Sequence, residues 1–332
     1  MSTNKMKQDI SLSVLSDIFQ KHSLGTIQRA ELMTGGEFNS VWKVITDSLQ
    51  KYVIKIAPQV NVEVLTYEHN LIQSEVYAYE KLARLKTVHV PKIYGYNWLN
   101  NEPYQYLIME FIEGEMLWNA KLYQEEMNQV MYKLGQTMAE IHSVKDMTGF
   151  GYIQNGLKKT WRDAYLSMIN NIINDGIAKK AKIPYLKEIQ KLINQNLSIL
   201  DEVESPVFVH FDLWAGNIIL KNNQLYAIID CERAMFGDVM GEFISLDYIT
   251  PFSVEKNKSL IEGYRSIAND KIEFNRNEMI RLYLMRLYLG LITNVEPYYR
   301  YSTLSLEFYR KYNFSKQYLK TTIKELKKYT NN

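Results

Sequence analysis

One β-like island, residues 207–230, interrupts the helical patterns that otherwise fill the chain from Gln124 onward. No other feature narrows the fold as much. Within the island, Ile218 to Leu220 and Leu225 to Ile229 are apolar runs that flank a polar turn at residues 221–224, the pattern of a hairpin. A hairpin between helices packs against them and brings the polar residues at its two ends close together. The surrounding helical patterns cover residues 124–142, 160–174 and 185–203, with several more from Ser253 onward. The most apolar of these, residues 282–295, carries Arg286 and is too short to span a membrane, so it reads as a buried core helix.

The first third has a different character. Leu12, Val14, Leu15, Ile18 and Phe19 recur at helical spacing and predict a short amphipathic leader helix over residues 11–21. Strand-like runs follow at residues 28–33, 41–46, 52–57, 92–98 and 104–112, and predict an antiparallel sheet. Residues 62–85 lack Gly and Pro and are expected to be largely helical. The change in pattern near Ile112 to Gly114 predicts a hinge between a small β-rich lobe, residues 1–112, and a larger helical lobe, residues 113–332. The expected fold class is α+β, in two lobes.

Composition removes several functions. A net charge of +2 with interspersed signs is not the footprint of a nucleic-acid or anionic-membrane binder. Cys231 is the only cysteine, which excludes an intrachain disulfide and a cysteine-based metal cluster and fits a reducing cytoplasm. Residues 1–19 place Lys and Asp early and lack the unbroken apolar core of a secretion signal, so a cytoplasmic location is expected.

The chemistry concentrates in His210-Phe211-Asp212-Leu213-Trp214-Ala215-Gly216-Asn217. In phosphoryl transfer an Asp can accept the proton of the attacking hydroxyl, and an Asn carbonyl a turn later can ligate Mg²⁺ as a hard oxygen donor. Thirteen residues beyond Asn217 the hairpin ends on Asp230, whose carboxylate is placed to bind the same metal. Loop capping by Asp and Asn is the alternative reading of the motif. In the first lobe, Gly35, Gly36, Asn39 and Ser40 sit between two strands, where backbone N–H groups can approach phosphates. Lys55, alone among apolar neighbours in the strand at residues 52–57, is a phosphate clamp or an edge-strand lysine. Glu75 and Glu68 are the rival partners for it on the following helix.

In this order the motifs resemble the aminoglycoside phosphotransferase and fructosamine kinase group of the protein-kinase-like superfamily, over almost the whole chain. The run Asp212 to Asn217 is similar to the Asp-Leu-Trp-Ser-Gly-Asn loop of fructosamine kinases, and Ile229-Asp230-Cys231-Glu232 to the Ile-Asp-Trp-Glu segment of the family. The resemblance implies Asp212 as catalytic base, Asn217 and Asp230 as magnesium ligands, Lys55 as phosphate clamp and Glu75 as its partner. It also implies a hinge at Met109, Glu110 and Ile112, where the main chain of Glu110 and Ile112 meets a purine edge and Met109 forms the back wall. The implied cofactors are ATP or GTP with Mg²⁺.

Phe236-Gly237-Asp238-Val239-Met240-Gly241-Glu242 is similar to the family's Gly-Asp-Pro-x-x-Asp segment, with Val239 in place of Pro and Glu242 in place of Asp. Phe211 fills a position that is commonly Gly, which is expected to narrow the entrance to Asp212. His210 and His142 read as structural residues. For the acceptor, Trp214, Asp238, Glu242 and Asp247 are the candidate contacts, with Tyr248, Glu296, Tyr298 and Tyr299 farther along a wall of helices after Met240. The expected activity is transfer of a γ-phosphate to a hydroxyl of an aminoglycoside-like or amino-sugar molecule, leaving open a resistance enzyme or a metabolic kinase. Two other readings compete with it. A protein kinase would carry an Ala-Pro-Glu element after Asp230, which this sequence lacks. A pseudokinase or interaction scaffold would normally have lost one of Lys55, Asp212, Asn217 or Asp230.

Overall fold

The computed structural model describes residues 4–99, 102–144, 149–246, 250–268 and 272–330. The chain opens with helix α1 (Leu12–Lys21), which Ser11 caps by accepting the Val14 N–H, and continues into strands β1 (Ile27–Leu32), β2 (Ser40–Thr46) and β3 (Lys51–Ile56). Helix α2 (Leu71–Leu82) then leads to β4 (Ile93–Asn97) and β5 (Tyr106–Glu110). These five strands form one antiparallel sheet in the order β1-β2-β3-β5-β4.

Strand alternation sorts the two faces of this sheet. Tyr52, Ile54 and Ile56 of β3 join Tyr106 and Ile108 of β5 in a cluster with Leu15, Ile18 and Phe19, so the leader helix covers one face. Val53, Leu107 and Met109 point to the other face and join the main core together with α2. Lys55 shares the parity of Val53 and is therefore directed at α2, paired in register with Leu107.

Residues 62–85 are not one helix. A single turn of 3₁₀ helix at Thr66–Glu68 comes first, and Asn70, with φ 57°, breaks the path before α2 starts. An αL residue cannot continue an α-helix, so Glu68 and Glu75 lie on separate elements.

The rest is mostly helical: α3 (Gln124–Ser143), α4 (Trp161–Ala178), α5 (Leu186–Gln195), α6 (Lys258–Ile267), α7 (Arg276–Arg300) and α8 (Leu306–Thr330). A short strand β6 (Glu115–Met116) precedes α3, and the island contributes the short strands β7 (Val207–Val209), β8 (Ile218–Lys221) and β9 (Gln224–Ile228). Asn222 and Asn223 make the β8–β9 turn, both at positive φ, as a tight hairpin favours. A strand of residues Met235–Gly237 pairs antiparallel with β7, and Glu115–Met116 pairs with β8. Gly114 makes that last pairing close, since a Cβ there would lie 2.5 Å from the Leu220 carbonyl oxygen. Among the described residues no helix is long and apolar enough to cross a membrane; α7 is buried along most of its length.

Candidate active site

Lys55 meets two carboxylates. Its Nζ lies 2.6 Å from Glu75 Oε1 and 2.6 Å from Asp230 Oδ1. Burial would strip the ammonium of its charge, but Asp230 and Glu75 reverse that and hold its pKa well above the usual lysine value. Glu75 and Tyr79 stand four residues apart on one face of α2, and the Tyr79 hydroxyl accepts the Asp230 N–H at 2.9 Å. Glu68, the rival partner, turns instead to Arg300, whose Nη2 is 2.6 Å from Glu68 Oε1.

Asp230 has φ 67°, a conformation unfavourable for a residue with a side chain, at the junction of β9 and a 3₁₀ turn at Cys231–Arg233. That turn folds Glu232 back, so that donor oxygens of Glu75, Asp230 and Glu232 lie within 4.8 Å of one another. Burial and the neighbouring Asp230 push the Glu232 carboxyl up to about 8. Glu232 Oε2 accepts a 2.7 Å bond from Asn39 Nδ2, which ties this turn to the loop between β1 and β2. In that loop Gly35 and Gly36 have φ of 129° and 62°, with no atom crowding Gly35, so their need is conformational. Ser40, at the start of β2, is buried and exchanges bonds with the Gln8 backbone.

The loop from His210 to Asn217 is anchored at both ends. Asn217 Nδ2 donates 2.8 Å to the Asp212 carbonyl, which leaves Oδ1 as the atom available to a cation. His210 Nε2 contacts the Ile229 carbonyl at 3.1 Å, and its Nδ1 receives the Asp212 N–H at 3.3 Å. One nitrogen must donate and the other accept, so the ring is neutral, in line with the lowering of its pKa by burial. His210 thereby joins the Asp212 loop to the strand that ends at Asp230. Asp212 is half-buried. Desolvation lifts its carboxyl to about 7 against the lowering influence of Arg233, with Asp230 and Glu296 adding to the rise.

Several expected contacts are placed elsewhere. Glu242 is fully buried and accepts the backbone N–H groups of His210 at 2.8 Å and Phe211 at 3.0 Å. Burial alone would raise its pKa; His142, 3.4 Å away and too long for a strong hydrogen bond, helps hold it below the usual value. Asp238 is also buried, bonded to Arg281 Nε at 2.8 Å and to the Met240 N–H at 3.0 Å. Both carboxylates are taken up within the fold, Glu242 by the backbone of His210 and Phe211 and Asp238 by Arg281 and the Met240 N–H. Asp247 and Tyr248 lie outside the described residues. Glu296 is committed to Arg233 and Arg300, Tyr298 accepts the Lys182 N–H, and Tyr299 donates to the Asp175 carbonyl. Phe211 does not narrow the entrance to Asp212: its ring is buried against Tyr288, 5.9 Å between centroids. Its φ of 66° explains why glycine suits that position, and ring burial with the Glu242 bond offsets the strain.

Glu242→Ala is therefore expected to leave two buried N–H groups without acceptors and to cost about 3 kcal/mol of stability, taking activity down with it. Chemical denaturation measures this. Wild-type stability in the variant would remove Glu242 as the loop's anchor.

At the segment expected to form the hinge, Met109 is buried and faces Val53 across the sheet. Glu110 gives its N–H to the Lys92 carbonyl at 2.8 Å, and its side chain meets His89 Nε2 at 2.8 Å. Ile112 packs with Ile219 and Ala227, next to Ile229, as an apolar surface between the sheet and the hairpin. Trp214 is 38% exposed, and its ring stands edge-on to that of Trp118, 64% exposed, at 5.8 Å. Sequence reasoning gave no role to Glu232, Arg233 or Trp118. The first two were legible as neighbours of Asp230 in one tight turn, whereas nothing local marks Trp118.

Asn217 and Asp230 carry oxygen donors of the hard type that suits Mg²⁺, and the Ile229 N–H, bonded to the Asn217 carbonyl at 3.0 Å, keeps the two residues near each other. A family model described as the phosphotransferase enzyme family matches residues 29–271. The chain is 21% identical over 253 residues to the Probable ketoamine kinase of Synechocystis sp., covering 73% of this chain and 77% of that one. Among solved structures it is similar to a protein assigned as a fructosamine-3-kinase from Thermobifida fusca, with TM-score 0.67, 16% identity, and coverage of 97% and 100% of the two chains. It is also similar to the aminoglycoside phosphotransferase APH(2")-IIa in complex with streptomycin and ATP, with TM-score 0.62, 16% identity, and coverage of 96% and 99%. At such identity the structures establish the shared kinase-like fold.

Proposed function

The chain belongs to the phosphotransferase enzyme family, and on that premise we propose that it moves the γ-phosphate of ATP or GTP onto a hydroxyl of an amine-bearing, polyhydroxylated small molecule. The observation that carries this reading is the pairing of Lys55 with Glu75 and Asp230, beside a loop in which Asn217 is bonded to Asp212 through its side chain and to Ile229, the neighbour of Asp230, through its carbonyl. Loop capping would explain Asn217 but not a buried lysine shared by two carboxylates.

In this reading residues 1–112 hold the nucleotide and residues 113–332 hold the catalytic loop and the acceptor. Gly35, Gly36, Asn39 and Ser40 line the phosphates, Lys55 holds them with Glu75 behind it, and Met109, Glu110 and Ile112 border the base. A bound Mg²⁺ would neutralise phosphate charge through the oxygens of Asn217 and Asp230. Asp212 takes the proton of the acceptor hydroxyl as that oxygen bonds to the γ-phosphorus. The bond from this phosphorus to the bridging oxygen breaks, and its electron pair leaves with the nucleoside diphosphate. A carboxyl raised to about 7 by burial suits a base that works near neutral pH.

Support for an amine on the acceptor comes from relatives named for aminoglycosides and ketoamines, and from the exposed ring of Trp214, two residues beyond Asp212, with the exposed Trp118 ring against it. Aromatic faces attract ammonium groups. In calorimetric titrations with a nonhydrolysable nucleotide present, free-amine sugars should bind about ten-fold more tightly than their N-acetylated forms. Equal affinity would refute the amine preference.

A further inference from the structure

The segment Asn4–Ile10, ahead of α1, is built into the nucleotide side of the molecule. Lys5 N–H donates to the Arg300 carbonyl at 3.1 Å, and Asn4 Nδ2 donates to the Glu37 carbonyl at 2.9 Å. Gln8 N–H donates to Ser40 Oγ at 2.8 Å, and Gln8 Nε2 bonds the Ala57 carbonyl. Met6 and Ile10 are buried. The segment thus runs along the β1–β2 loop and past the end of α7.

Lys7, between these anchors, is half-buried and donates from Nζ to the carbonyls of Asn39 and of Gly35, the latter at 3.4 Å. Lys7 Nζ thus lies against the same Gly35–Asn39 loop that would line the phosphates, and its ammonium satisfies two of the loop's carbonyls. An ammonium has three donors, so one remains. Burial, and after it Arg300, pull the Lys7 pKa down, while Glu232, Glu37 and Asp230 act in the opposite direction; Glu232 and Asp230 also act on Lys55, so the two ammonium groups share the field of those carboxylates. That cluster is rich in anions. A triphosphate entering it is favoured by each further cation within reach, and Lys55 is already shared by Glu75 and Asp230.

We propose that Lys7 is a second lysine of the phosphate site: it holds the loop of Gly35 to Asn39 by its carbonyls and presents its remaining N–H to the nucleotide's phosphates. This rests on the nucleotide-binding reading above. Lys7 would act both by positioning the loop and by its charge, and the two are separable. In the presence of Mg²⁺, Lys7→Met should bind nucleoside triphosphate about ten-fold or more weakly than wild type, with nucleoside affinity changed by less than about two-fold. Lys7→Arg should recover most of the triphosphate affinity. Asn4→Ala, which removes an anchor of the segment and no charge, should leave the ratio of triphosphate to nucleoside affinity as in wild type. Thermal unfolding of each variant confirms that the fold is kept.

Lys7→Met weakening nucleoside and triphosphate alike would make Lys7 a loop staple and overturn the proposal. So would an unchanged triphosphate affinity, or Lys7→Arg behaving like Lys7→Met. If wild type binds neither ATP nor GTP, the nucleotide reading itself fails, and that result is distinct from a variant that matches a binding-competent wild type.

Discussion

Asp212→Asn is expected to slow phosphoryl transfer by about two or more orders of magnitude while nucleotide binding and the fold remain intact. The amide has nearly the shape of the carboxylic acid, and the loop is held by the Asp212 main chain, through Asn217 and His210, rather than by the lost charge. The folded-state pKa of about 7 lies above the unfolded value, so the folded protein holds this proton more tightly and ionisation opposes folding. That part of the stability is present below the unfolded pKa and lost as pH rises through about 7. An Asn has no such loss, so above neutral pH the variant should be at least as stable as wild type. In wild type, kcat/KM should rise with pH through the same region as the base ionises. Unfolding curves and pH profiles of both proteins check the two halves; wild-type turnover in the variant would remove Asp212 as the base.

The second large effect is expected at Asp230. Asp230→Ala should lower Mg²⁺-dependent nucleotide affinity by about a hundred-fold, because an anionic oxygen donor is lost beside negative phosphates. Lys55 keeps Glu75 at 2.6 Å, so the buried ammonium is not left without a counter-charge and the sheet should stay folded. Glu75→Ala gives a useful contrast, since it strips the fully buried partner of Lys55 and is expected to cost stability as well as affinity. Magnesium titration of nucleotide binding reads the effect. An unchanged dependence on magnesium would take Asp230 out of the metal site.

Where the sequence was informative, a short-range periodicity carried the information. The strand at residues 52–57 and the β8–β9 hairpin were legible as short apolar runs, the hairpin from two of them around a polar turn, but the face that Lys55 takes was not, because its strand is apolar on both sides and only packing against the leader helix and α2 sorts them. The choice between Glu75 and Glu68 was not legible, because residues 62–85 have uniform helical composition and the αL break at Asn70 depends on how the chain packs. Asp238 and Glu242 look like acceptor contacts in one dimension. Their fates are set by Arg281 and by the backbone of His210 and Phe211, more than thirty residues away in each case. The strand Met235–Gly237 is too short to show a pattern and owes its existence to pairing with β7. Lys7 sits in a polar stretch with no local signal; only its bonds to the Gly35 and Asn39 carbonyls single it out.

The central claim is that Asp212 and its neighbours transfer a phosphoryl group to a small-molecule hydroxyl. The direct measurement is mass analysis of a panel of aminoglycosides, amino-sugars and ketoamines incubated with ATP or GTP and Mg²⁺, using wild type and Asp212→Asn side by side. The account predicts an acceptor that gains the mass of one phosphoryl group with wild type, in step with nucleoside diphosphate release, and gains almost none with the variant. Equal product from both proteins, or nucleotide consumed with no phosphorylated acceptor anywhere in the panel, would contradict it.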